Sequence, residues 1–189
     1  MSTRLIDVNM PLLYGEGHRA FMRLQEEILK ITDDYTIFAW HNIYDDNVHN
    51  RGLLADSPAS FRCTPRLTSW ENLDEELLKG SYYYYIHRKT REASLRTMGR
   101  VIQLTLPLCM DVEQSGGLTR KSTLAWLLCT NENTDLVCIR MIKNLDYFEG
   151  LSHTLVFVPV SDITRFKPTT LIAMRSGETS PPMSGLRTR

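Results

Sequence analysis

From Met98 to Met174 the chain is a close succession of β-forming runs, and that leaves few architectures open. Val101, Leu104, Leu106 and Leu108 lie in one run, bounded by Gly99 and by a polar stretch from Asp111 to Leu118, read as a loop. Thr123 to Thr130 is a second run and Leu136 to Ile142 a third, with the polar turn Asn131–Asp135 between them. Two such runs joined by so short a polar loop predict a hairpin. Thr154 to Val160 and Thr170 to Met174 add two more strands, linked through Ser161-Asp162 and Lys167-Pro168. Short strands at this spacing must bury one face of a sheet, which predicts an antiparallel sandwich or a partly closed barrel.

The first half is built differently. An apolar segment, Met10 to Tyr14, runs into Gly15-Glu16-Gly17. Phe21, Leu24, Ile28 and Ile31 then recur at helical spacing, with Arg19, Arg23, Glu26, Glu27 and Lys30 on the wet sides. This predicts an amphipathic helix over residues 17–31 that buries Phe21, Leu24 and Ile28 and leaves Arg23 and Glu27 in water. Asp33-Asp34 ends it, and Thr36-Ile-Phe-Ala-Trp40 reads as a strand. Residues 41–51 are polar and turn-rich, hence a surface loop. Ser57 is placed to cap a short helix that begins at Pro58, where the missing N–H costs nothing. Trp70, Leu73 and Leu77 predict another short helix. Tyr82 to Tyr85 read as a strand with a solvated basic turn, His87 to Arg91, beyond it. The expected organisation is helix and strand over residues 1–40, a β-rich module over 41–175 with one or two short helices, and a disordered tail over 176–189, where Gly, Ser, Pro and Arg dominate.

Composition narrows the function. Lys and Arg together number 22 and so do Asp and Glu, so the net charge is zero. A balanced chain has no general electrostatic pull toward nucleic acid or an anionic membrane, and neither is expected as a partner. No apolar run is long enough to span a bilayer and the N-terminus has no secretory h-region, so a cytoplasmic protein is expected. Cys63, Cys109, Cys129 and Cys138 share no C-x-x-C spacing; Cys129 and Cys138 flank a turn, and the reading is of buried, reduced thiols.

Candidate chemistry dissolves on inspection. Gly15-Glu16-Gly17 before a helix has the look of a phosphate loop, but no βαβ unit follows, and the glycines serve a tight turn. His41 and His49 share a loop with Asp45 and Asp46, without the paired spacing of a zinc site. No G-x-S-x-G, Walker A or H-E-x-x-H occurs. Catalytic, cofactor-binding and metal-ligating residues are therefore all expected to be none, and no cofactor is expected.

What remains is a resemblance. The stretches MPLLYGEGHRAFMRLQEEILK, DDYTIFAW and GLLADSPASF, at residues 10–30, 33–40 and 52–61, resemble the segment that follows the HET domain in fungal heterokaryon-incompatibility proteins, a region of the domain-of-unknown-function type. Met98 to Leu108, Leu124 to Met141, Val156 to Val160 and Phe166 to Ile172 resemble its later β segments. The likeness covers roughly residues 5–175, most specifically in the first sixty. The HET domain proper maps onto no residue, so the resemblance implies a truncated member and carries over no catalytic residue. The expected fold is α+β, an N-terminal amphipathic helix followed by a mostly antiparallel β module. The expected function is a non-enzymatic accessory or regulatory module in self/non-self recognition. The alternative is a fragment that completes a TIR-like, NAD-consuming signalling fold in trans. Met10, Leu12, Leu13 and Tyr14 are the candidate interface, with a HET domain or another protein in trans, or a second copy, as its partner.

Overall fold

A computed structural model describes residues 18–32, 34–41, 52–73, 75–78, 96–98, 101–115, 118–144 and 147–174. Seven strands form one sheet: β1 (Thr68–Ser69), β2 (Arg96–Met98), β3 (Val101–Ser115), β4 (Leu118–Thr130), β5 (Leu136–Asn144), β6 (Tyr147–Val158) and β7 (Lys167–Met174). The order is β1-β4-β5-β6-β7-β3-β2, with β3 also pairing β4. Strands β3 to β7 thus form a closed ring of pairings, and β1 and β2 are short additions to it.

The ring turns on Leu108. Up to that residue β3 pairs with β7, and from it onward β3 pairs with β4, so Leu108 faces both Lys167 and Ala125. Five strands cannot alternate in direction all the way round. Four of the five junctions are antiparallel and the fifth, β6 with β7, is parallel and consists of the single pair Phe148↔Ala173. The module expected to be antiparallel is therefore a mixed sheet. The sequence concealed this because the link from β6 to β7 passes through a 3-10 helix, Val160–Arg165, and not through a hairpin turn.

The strands are longer than their apolar runs. Residues 111–115, expected as loop, continue β3, and their partners from Leu118 extend β4 backward. Only Gly116-Gly117 separates the two, a two-residue connection of the kind hairpins favour. In the other direction β4 is interrupted: its register against β5 shifts between Trp126 and Thr130. Leu128 lies inside this bulge at φ 55°, and the buried Trp126 indole donates to the Cys129 carbonyl at 2.9 Å. The bulge lets Trp126, Leu127, Leu128 and Cys129 all be buried.

Pairing register sorts side chains onto two faces, since residues directly opposite each other share a face. Ile102, Leu104, Leu106, Ala125, Ile139, Met141, Leu171 and Ala173 fill the ring's interior. Cys109, Leu124, Trp126 and Cys138 lie on the opposite face, equally buried, because other parts of the chain pack there. Trp126 meets Phe166 edge to face at 6.4 Å. All four cysteines are free thiols, with Cys63 exposed and the other three buried.

Two expectations for the first half need correction. Residues 36–40 are not a strand: Tyr35–Phe38 is a 3-10 turn, capped by Asp34, whose Oδ1 accepts from the Thr36 N–H at 2.9 Å. Three residues per turn put Tyr35 and Phe38 on one side, and both are buried. The helix α1 (His18–Ile31) buries Met22, Gln25 and Leu29; Phe21, Leu24 and Ile28 are only half-buried and Ile31 is 62% exposed. The polar Gln25 at the centre of the buried line hid that face from an apolar count. Arg23, expected in water, is half-buried. Further on, Ser57 caps the 3-10 turn Pro58–Phe61, and Trp70–Asn72 and α2 (Glu75–Leu78) stand where one short helix was expected. The tyrosine run, the 176–189 tail and the Gly15–Gly17 turn lie outside the described residues.

Candidate functional site

The first candidate is where the sequence stretches that carry the family resemblance meet. Gln25 of α1 reaches the segment Gly52–Ala55 and treats Ala55 as a strand would. Its Nε2 donates to the Ala55 carbonyl at 2.7 Å, and its Oε1 accepts from the Ala55 N–H at 3.0 Å. The same Nε2 also lies 3.2 Å from the Phe21 carbonyl. Trp40 donates its indole N–H to the Leu53 carbonyl at 2.8 Å, and the Leu53 N–H donates to the Met174 carbonyl of β7 at 2.9 Å. Gly52 to Ala55 are all buried, so each of these backbone groups needs a protein partner and has one. Phe61 closes the arrangement by meeting Phe21 edge to face at 6.3 Å. The knot joins helix, turn and ring, and its polar groups are consumed in doing so. Thr64 adds a hydroxyl bond to the Ala39 carbonyl at 2.7 Å, and the His41 N–H bonds the Ser60 carbonyl at 2.9 Å.

The second candidate is a cleft of about 500 Å³ at one end of the ring. It is lined from all five ring strands: Leu108 and Met110 on β3, Lys121, Ser122 and Thr123 on β4, Ile142 and Lys143 on β5, Phe148 on β6, Lys167 and Thr169 on β7. By register all of these except Ser122 and Ile142 are interior positions. Met110 opposes Thr123, Thr123 opposes Met141, Lys143 opposes Phe148, Phe148 opposes Ala173, and Leu108 opposes Lys167. The cleft is therefore the mouth of the barrel, where the apolar interior column of β3 emerges as Leu108, Met110 and Val112. Met110 is 63% and Val112 53% exposed.

Among the described residues that line the mouth, the charged ones have one sign. Lys121, Lys143 and Lys167 stand on its rim, and none of the interior-register positions of β3, β4, β5 or β7 is an Asp or Glu. Asp111 has the other parity: it opposes Ser122 and forms an ion pair with Arg140 at 3.0 Å on the far face of the sheet. That pair ties β3 to β5 from the far face. The mouth is hidden in the sequence because residues 111–118 read as loop, which leaves Lys121 and Met110 without a register. The signal that would have found it is the Gly116-Gly117 pair.

The residues proposed from sequence fare unevenly. Met10, Leu12, Leu13 and Tyr14 lie outside the described residues, as do His49, Asp45 and Asp46. His41 is described, and partial burial lowers its pKa from the usual value near 6.5. Burial pushes the Cys129 thiol up to about 12, with Asp34 adding to the effect, and pushes Cys138 well above its ordinary value. Such thiols stay protonated and inert. Among the described residues no group of three or more His, Cys, Asp or Glu is placed to hold a metal ion, and no helix is long and apolar enough to cross a membrane.

Residues 19–110 match a family model described as Domain of unknown function (DUF8212). The matched span is just under half of the chain. It takes in α1, the knot and β3 as far as Met110, and it leaves most of the barrel outside. No curated protein and no solved structure matches the chain.

Proposed function

We propose that the chain is a non-enzymatic accessory or regulatory module of the kind that follows the HET domain in fungal heterokaryon-incompatibility proteins, acting in the cytoplasm through contact with another protein. The observation that carries this reading is the knot. Gln25 of the RLQEEI run, Trp40 of the FAW run and Gly52–Ala55 of the GLLA run belong to the three stretches that resemble that family, and they converge on one buried set of bonds. Side chains spent on holding backbone are scaffold, which favours a structural or interaction role over a catalytic one. The family match over residues 19–110 covers Gln25, Trp40 and Gly52–Ala55.

On this reading Met10, Leu12, Leu13 and Tyr14 form the contact surface, with a HET domain in trans as first partner and a second copy as the other. Sedimentation at micromolar concentration, alone and with a separately expressed HET domain, tests it. The expected result is a complex or a dimer that Leu13→Asp abolishes, with no NAD hydrolysis by the chain itself. A strictly monomeric chain that ignores the HET domain, or one that turns over NAD unaided, overturns the reading.

A further inference from the structure

We propose that the barrel mouth is a binding site for a small amphipathic anion, an apolar body carrying one carboxylate or phosphate headgroup. The volume of about 500 Å³ lies within the range of small-molecule sites. Two properties of this mouth select the ligand. Its wall is apolar, from Leu108, Ile142, Phe148 and the exposed Met110, and Val112, one interior step beyond Met110 on β3, is exposed as well. Exposed apolar side chains beside a cleft favour covering by an apolar group. Its rim carries Lys121, Lys143 and Lys167 from three different strands, with no acidic residue of interior register on β3, β4, β5 or β7 to oppose them.

An ammonium is a compact charge on a flexible stem, suited to a headgroup of undetermined geometry, whereas planar bidentate recognition would call for arginine. Lysine stems can cover apolar surface while their heads stay in water, so an anion at the rim would meet charge while its body rests on Leu108 and Phe148. Thr123 and Thr169 are the hydroxyl-bearing residues of the lining with interior register. Thr123 spends its hydroxyl on the Met110 sulfur at 3.8 Å. The site needs nothing from the N-terminal interface, so the two stand or fall separately.

Calorimetry with decanoate and with decyl phosphate, each below its micelle concentration, tests the proposal, with decanol and decyltrimethylammonium as controls. Saturable one-to-one binding of either anion, weaker at higher salt, is expected; which headgroup binds tighter identifies the carboxylate or the phosphate source. The variant Lys121→Gln/Lys143→Gln/Lys167→Gln replaces three exposed side chains and keeps the fold, as its far-UV spectrum and Tm will show. It should bind about tenfold more weakly, a loss of about 1.4 kcal/mol shared by three exposed charge contacts. Leu108→Trp, filling the cleft floor, should abolish binding of all ligands. Absence of saturable binding of both anions, equal binding of decanol or the cation, or unchanged affinity in the triple variant overturns it.

Discussion

Gln25 carries more of this structure than any apolar neighbour on its helix. It is 2% exposed, and both polar atoms of its amide are engaged with Ala55. Gln25→Ala would strand a buried N–H and a buried C=O, each at about 1–3 kcal/mol, so thermal or urea unfolding should show a loss of roughly 2–5 kcal/mol. Leu24→Ala, at a half-buried site, should cost clearly less; the reverse order would mean that the apolar stripe, not the amide, docks the helix. The cysteines offer a second test at this scale. A thiol reagent added to native protein should label Cys63 alone, and Cys109, Cys129 and Cys138 only after denaturation, because the three are buried and Cys129 and Cys138 also resist ionisation. His41 gives a pH dependence. Burial holds its folded pKa below the usual value near 6.5, so the unfolded chain binds the proton more readily. Stability is unaffected above about pH 6.5 and falls as the pH drops from there through the folded pKa. A Tm series from neutral pH to about pH 5 should flatten in His41→Asn.

At the scale of elements, what was legible in the sequence depended on whether a single period governed the stretch. The turn Asn131–Asp135 was readable, since Asn131 Oδ1 takes the N–H groups of Asn133 and Asp135, both at 2.9 Å, as Asx turns do. It also holds Thr134 at φ 66°, a left-handed backbone that a β-branched residue adopts at a cost of about 1–2 kcal/mol. Thr134→Gly should therefore raise stability by roughly 0.5–1 kcal/mol after glycine's own entropy is counted. A drop on that substitution would show that the threonine side chain stabilises the turn by more than its strain. Thr36–Trp40 reads as a strand because five apolar-rich residues carry no helical period; the 3-10 turn Tyr35–Phe38 stands there instead, and the capping Asp34 is the available clue. The far end of β3 was misread because Asp111 and Glu113 look like loop until Arg140, far off in sequence, supplies the partner of Asp111.

At the scale of the molecule, β-richness and the five runs that become β3 to β7 are legible, and a partly closed barrel stands among the alternatives; which strands close the ring is not legible. Closure depends on β3 changing neighbours at Leu108, a fact of pairing that no local pattern encodes. The mouth was illegible for the same reason, since Lys121, Lys143 and Lys167 become neighbours only once the ring is made. The ring is unevenly sewn. β3 with β4 and β3 with β7 each run for eight paired positions, whereas β6 meets β7 at one. Native-state hydrogen exchange should find the lowest protection among ring strands at the facing edges of β6 and β7, and the highest in β3 and β4. Uniform protection around the ring would mean that packing, not the ladder, holds that seam.

The odd count has one more effect. Physicists know the situation from magnets arranged on a ring: with five members, neighbours that each prefer to oppose the next cannot all be satisfied, and one mismatch must sit somewhere. The Phe148↔Ala173 junction is that mismatch. Substitution can strengthen or weaken it, and a change of connectivity can shift it to another pair of strands. As long as the ring has five members, nothing removes it, for it belongs to the number of strands and not to any residue in them.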